Sequence, residues 1–138
     1  MSSYLTIYVK LKNVEKPAPI ISWSRNNTVY QALNGSIAYI GNGDKMMYTE
    51  LTVDLINDGI NEIREEMDKA KQYLEEYEKH AGENESYIQY IVEYKEELKT
   101  CENAIHELEF IRTLIHEAGY YNEDDEVTCV EKYIANID

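Results

Sequence analysis

The chain has 138 residues, 43% of them hydrophobic, thirteen of them tyrosine, and a formal charge of −14. That composition supports one modest core and argues against a surface built to grip nucleic acid phosphate, which is a task for basic proteins. No run of about eighteen apolar residues occurs, and no basic start precedes an apolar stretch, so neither a membrane span nor a signal peptide is expected, and the cytoplasm is the expected compartment.

Tyr4 to Lys12 alternates, with Leu5, Ile7, Val9 and Leu11 on one face, which predicts a half-buried strand. Asn13 to Pro19 holds both prolines and reads as a connection. Ile20 to Ser24 is β-branched and aromatic and suits a second antiparallel strand. Asn27 or Thr28 can then cap a short helix through Val29, Tyr30, Ala32 and Leu33, which Asn34-Gly35 ends. Ile37 to Ile40 and Lys45 to Thr49 flank Gly41-Asn42-Gly43-Asp44, which fits either a hairpin or an irregular loop.

Thr52 to Gly119 reads as two long helices folded back on each other. Val53, Ile56, Ile60, Ile63, Met67, Ala70, Leu74, Tyr77 and Ala81 step alternately by three and four. Tyr87, Ile91, Tyr94, Leu98, Cys101, Ile105 and Leu108 repeat the spacing, as the seam of an antiparallel coiled coil requires. Gly82 supplies a stop, and Asn84 or Ser86 a fresh start, the latter with Gln89 as a capping box. Leu51 and Ile56 can staple the start of the first helix around a Thr52 cap. Gly59 costs that helix about 1 kcal/mol unless close packing needs a missing side chain there. Arg112 falls where the heptad wants an apolar residue, while Phe110, Ile111, Leu114 and Ile115 widen the apolar face, so the sheet should dock at that open end. Gly119 should stop the second helix. Tyr120 to Glu126 then reads as an acidic loop, and Val127 to Ile134 as a returning strand, with a short helix as the alternative.

The predicted fold is therefore α+β, one domain over 1–138. Residues 52–118 form a long antiparallel helical hairpin, and 1–51 with 119–138 form a small β-rich head. A thirty-residue helix is about 45 Å long, so the hairpin must project. Residues 1–51 carry three acids against five bases; 52–118 carry eighteen against seven, and 119–138 six against one. The acidity thus sits on the rod and the tail, either as plain solubilising charge or as a surface for basic proteins.

Chemistry is sparse. His80, His106 and His116 lack the Glu-x-x-His spacing of a di-iron bundle, and residues 122–126 lack the glycine and ligand spacing of a calcium loop, so no metal is expected. Cys101 and Cys129 fit no metal or redox spacing and read as buried free thiols. Gly41-Asn42-Gly43 is a weak phosphate-loop signal, and no serine sits in a nucleophile elbow, so neither catalytic residues nor a cofactor is expected. The informative polar cluster is Trp23, Arg25, Asn26, Asn27, Tyr30 and Gln31 together with Tyr48 and Glu50. These residues can hold a ligand or partner; the preferred alternative is that they tie the loop to the hairpin, with Arg25 paired to Glu50.

The pattern Ser22-Trp23-Ser24-Arg25-Asn26-x-x-Val29-Tyr30-Gln31-Ala32-Leu33, followed by Tyr48-Thr49-Glu50-Leu51-Thr52 and the Glu/Lys-rich hairpin, resembles a family of small, mostly uncharacterised proteins of bacteriophages and prophages of low-GC bacteria. The resemblance implies a phage origin and the host cell cytoplasm, but no activity. Three readings follow. The first is a non-enzymatic inhibitor of a host protein, such as a defence nuclease, occupying its basic surface. The second is a sponge for a nucleotide signal, with Trp23 or Tyr30 on a base and Arg25 on phosphate. The third is an assembly protein whose hairpin self-associates through Tyr73, Tyr77, Ile88, Tyr90 and Val92. The first is favoured.

Overall fold

The computed structural model describes residues 3–37, 48–123 and 129–138. In chain order it contains β1 (Tyr4–Leu11), β2 (Ala18–Ser24), α1 (Thr28–Leu33), β3 (Thr49–Glu50), α2 (Val53–Lys79), α3 (Ser86–Glu123) and β4 (Val130–Ile137). The strands form an antiparallel sheet in the order β2-β1-β4-β3. The expected α+β class is therefore observed, and the returning strand is real. It runs from Val130 to Ile137 rather than from 127 to 134, and residues 127 and 128 of the expected strand lie outside the described residues. The Gly41-Asn42-Gly43-Asp44 segment also lies outside them.

Alternation along β1 decides which side of the sheet is apolar. Leu5 stands opposite Trp23 and Ile137, Ile7 opposite Ile21 and Ala135, and Val9 opposite Tyr133. This layer belongs to one core shared with Leu33, Ile56, Ile60, Leu108 and Ile111, so the sheet docks at the open end of the helical pair, as the widened apolar face predicts. On the reverse face the Thr6 and Ser22 hydroxyls lie 2.8 Å apart, and the Tyr8 and Tyr48 rings meet edge to face at 5.3 Å. Ala18 and Pro19 extend β2 into what reads from sequence as a connection. An edge strand tolerates a residue with no N–H, and β2 is an edge; the register shifts beside Pro19, with Tyr8 opposite Pro19 while Ile7 faces Ile21. The turn after β1 uses Asn13 at φ 62°, a left-handed conformation that asparagine accepts more readily than most residues.

α1 is capped by Asn27, whose side chain accepts the Val29 N–H at 2.8 Å. α2 is capped by Thr52, which accepts the Leu55 N–H at 3.1 Å, with Leu51 and Ile56 both buried beside it. α2 and α3 run antiparallel, since Asn57 bonds Arg112 near one end while Tyr77 meets Tyr87 near the other. The expected seam is where they pack. Ile56, Ile60, Ile63, Met67 and Ala70 are buried against Cys101, Ile105 and Leu108, and Leu74, Tyr77, Tyr87, Ile91, Tyr94 and Leu98 are half-buried. Exposure thus rises toward the hairpin tip.

Four local expectations need correction. α2 ends at Lys79, before Ala81, and of the two expected starts it is Asn84 that provides the side-chain cap, accepting the Ser86 N–H at 2.9 Å. Gln89 donates to Glu93 at 3.2 Å instead of reaching back as a capping box. α3 runs through Gly119 to Glu123, because an isolated helical glycine costs only about 1 kcal/mol, less than a long helix can absorb. Phe110 does not join the widened face: it is 62% exposed, while Ile111 is buried and Leu114 and Ile115 pack partly against the core. Arg112 is accommodated by donating to Asn57 Oδ1 at 2.8 Å.

Gly59 resolves in favour of close packing. A Cβ there would lie 2.6 Å from Leu33 Cδ2 and 3.5 Å from Leu108 Cδ1. Leu33 is fully buried and has little room to yield. Gly59→Ala gains about 1 kcal/mol of helix propensity but overpacks the site by roughly 1–3 kcal/mol, so a net loss of about 1 kcal/mol is expected in urea unfolding. In a Leu33→Ala background the same change should stabilise. If Gly59→Ala already stabilises the wild-type chain, the contact does not constrain the packing.

Candidate functional site

The end of the sheet where β1 starts and β2 and β4 finish holds a depression of about 500 Å3, lined by Ser3, Arg25, Asn26, Tyr30, Gln31, Asn34 and Ile137. Its frame is local. The Arg25 N–H donates to Ser3 O at 3.1 Å, and the Asn27 N–H to Ser24 O at 2.9 Å, turning the chain from β2 into α1. α1 then places Tyr30, Gln31 and Asn34 on one side, since positions three and four apart share a helix face. Four of the eight candidate residues, Arg25, Asn26, Tyr30 and Gln31, thus share one site.

The other four stand elsewhere. Trp23 is 4% exposed, and its indole N–H donates to Glu107 Oε2 at 2.6 Å, fastening β2 to α3. Asn27 is spent on the α1 cap. Tyr48 packs on Tyr8. Glu50 lines a separate depression of about 430 Å3 between the start of α2, the end of α3 and β4, shared with His116, Glu131 and Lys132. The expected Arg25–Glu50 ion pair is not formed, and among the described residues Arg25 has no ion pair. Sequence reading missed Ser3, Asn34 and Ile137. Asn34 was findable, lying one turn beyond Tyr30 and Gln31 but read only as a helix stop. Ile137 was not, because its place depends on the pairing of β4 with β1.

The helical pair carries the second candidate surface. Among the described residues Glu78–Lys95, at 3.7 Å, is the only lysine–carboxylate pair between the helices, although residues 52–118 hold eighteen acids. Glu62, Glu65, Glu66 and Asp68 are all exposed along α2. At the tip five tyrosines form a ladder: Tyr77 meets Tyr87, Tyr90 and Tyr94 at 5.2, 5.1 and 5.8 Å, and Tyr94 stacks on Tyr73 at 5.5 Å. Desolvation, with Tyr77 and Tyr73 alongside, raises the Tyr94 pKa. Tyr73, Tyr90, Ile88 and Val92 remain exposed around this ladder.

Burial pushes the Cys101 thiol up, with Glu66 and Glu97 adding to the effect, so it stays protonated and unreactive. Cys129 is exposed, contrary to the expectation of two buried thiols. Among the described residues no three side chains of His, Cys, Asp or Glu gather as a metal site, and no helix is long and apolar enough to cross a membrane. Comparison with known proteins found no matching family model, no matching curated protein and no matching solved structure.

Trp23→Phe should cost about 2 kcal/mol in urea unfolding through loss of a hydrogen bond to a charged acceptor, whereas Glu107→Gln should cost less, since its amide oxygen still accepts. Equal losses would show that the indole bond is not the fastening. His80 lies 3.1 Å from Glu83 and 3.3 Å from Glu76. The hydrogen bond and charge of Glu83 raise its pKa above 6.5, with Glu76 contributing less. A raised folded-state pKa means that its pairing supports the fold fully below about 6.5 and fades as pH climbs through the folded value. NMR titration should therefore place His80 above 6.5 and Glu83→Gln should lower it; an unchanged midpoint in that variant would remove Glu83 as the cause.

Proposed function

We propose that this is a non-enzymatic, phage-type binding protein that inhibits host machinery, antiviral defence foremost, from within the host cell cytoplasm. The helical pair is its working arm, a short antiparallel coiled coil whose seam holds two carboxylate-rich flanks apart. One observation carries this reading: among the described residues the exposed carboxylates of the two helices are left almost entirely without lysine or arginine partners, as the outer face of a merely solubilised rod with interleaved lysines would not be. Uncompensated negative charge steers a protein toward basic surfaces and raises the association rate with them. A host protein that grips nucleic acid presents such a surface. The resemblance of the Ser22–Leu33 and Tyr48–Thr52 stretches to phage proteins supports the setting.

A second reading is self-association through the tip, favoured by Tyr73, Tyr90, Ile88 and Val92 standing exposed around the tyrosine ladder. Sedimentation at high concentration separates the two, because self-association predicts a concentration-dependent dimer that Ile88→Lys with Val92→Lys dissolves.

The primary reading is tested on a partner captured from host lysate and then purified. Its Kd should weaken roughly tenfold or more between 50 and 200 mM salt, mainly through a slower on-rate. A variant with Glu62, Glu65, Glu66 changed to Gln and Asp68 to Asn should bind more weakly with unchanged helical circular dichroism. Salt-insensitive binding, or full affinity in that variant, would overturn the acidic-surface mechanism.

A further inference from the structure

Three depressions differ in chemistry. The one between β2 and α3, about 420 Å3 and lined by Ile20, Ile21, His106, Glu107, Phe110 and Ile111, is apolar, and nothing around it selects an occupant. The one beside Glu50 contains two glutamates, Glu50 and Glu131, against Lys132. The third, lined by Arg25, contains no carboxylate among the described residues, in a chain of charge −14.

We infer that the Arg25 depression is a binding site for a small phosphorylated ligand of nucleotide size, independent of the acidic helices. Arg25 supplies a guanidinium with no ion pair among the described residues, a planar fork that matches a phosphate oxygen pair. Asn26, Gln31 and Asn34 contribute three carboxamides with no hydrogen-bond partner among the described residues, each able to donate and accept at once. The adjacent cap Asn27 shows the contrast, since its amide oxygen is already committed to Val29 N–H. Such groups read the edge of a base or a sugar hydroxyl, whereas a simple inorganic anion needs only donors. Tyr30 and Ile137, both largely buried, give the site an apolar floor. A volume of about 500 Å3 falls in the range of small-molecule sites. Asp138, the carboxylate that follows Ile137 at this end of the sheet, accepts the Tyr4 N–H at 3.0 Å, which keeps it engaged with backbone. Trp23 takes no part, being sealed beneath the sheet on Glu107.

The test is calorimetric titration of the full chain with adenosine and guanosine 5′-monophosphates, the matching nucleosides and inorganic phosphate, each up to about 10 mM, where even a millimolar Kd registers. At least one monophosphate should bind, and its nucleoside should bind roughly ten- to hundred-fold more weakly, as loss of charge-assisted hydrogen bonds requires. Arg25→Ala should abolish binding, Arg25→Lys should retain part of it, and Gln31→Ala should weaken the nucleotide but not inorganic phosphate. Arg25 is exposed, so these variants should keep the wild-type melting curve. No binding by any phosphate-bearing probe, or equal binding by wild type and Arg25→Ala, overturns the assignment. The carboxamide variant of α2 should bind the nucleotide as wild type does, so failure here and failure of the acidic-surface mechanism are separable.

Discussion

Leu33 of α1 lies against the bare backbone of Gly59 on α2, and that contact fixes how sheet and helices join. A side chain at residue 59 would push α1 outward, and α1 is the element that carries Tyr30, Gln31 and Asn34 to the end of the sheet. The same layer continues through Leu108 and Ile111 to Leu5, Ile7 and Trp23. The polar depression around Arg25 therefore inherits its geometry from an apolar fit on the other side of α1. Interiors at crystal-like density transmit such displacements rather than absorb them.

The molecule separates its charges by architecture. Residues 1–51 are net positive and supply the strands β1 and β2, whereas the two helices and the segment after them carry the negative excess. A pair of helices with few compensating cations is held chiefly by its seam, and that seam is driest near the sheet and wettest at the tip. Tyrosine suits the wet end, since its ring buries area against a neighbour while its hydroxyl stays in water. The ladder from Tyr73 to Tyr94 closes the hairpin with side chains that would be a poor choice in the dry half, where Ile56, Ile60 and Ile63 sit.

Much of this fold was legible because its signals are periodic. The steps of three and four named most of the buried residues of α2 and α3, though not Ala104 or Ala118, the alternation in β1 named its apolar face, and Thr52 and Asn27 marked true helix starts. What was illegible depends on partners far away in sequence. The strand character of Ala18 and Pro19 follows from β2 lying at an edge. Gly119 looked like a stop but lies within α3, where a Cβ would meet nothing within 4 Å among the described residues. Among the candidate residues, local clustering between Trp23 and Gln31 was readable, but β2 ends at Ser24, so Trp23 on the strand is buried in the core while Arg25, in the turn into α1, stays exposed. Glu50 seemed a natural counter-ion only while the two depressions were not distinguished.

β4 occupies an interior position in the sheet, hydrogen-bonded to β1 on one side and β3 on the other, and Asp138, the residue after it, meets Tyr4 of β1 across a sequence separation of 134 residues. Closing so long a loop is entropically slow, whereas the helical pair closes over a short turn. During synthesis the arm can form as soon as both its helices have left the ribosome, but β1 and β3 have no shared neighbour until β4 arrives. Completion of the head thus waits on β4, and the Arg25 depression, floored in part by Ile137, exists only after that insertion.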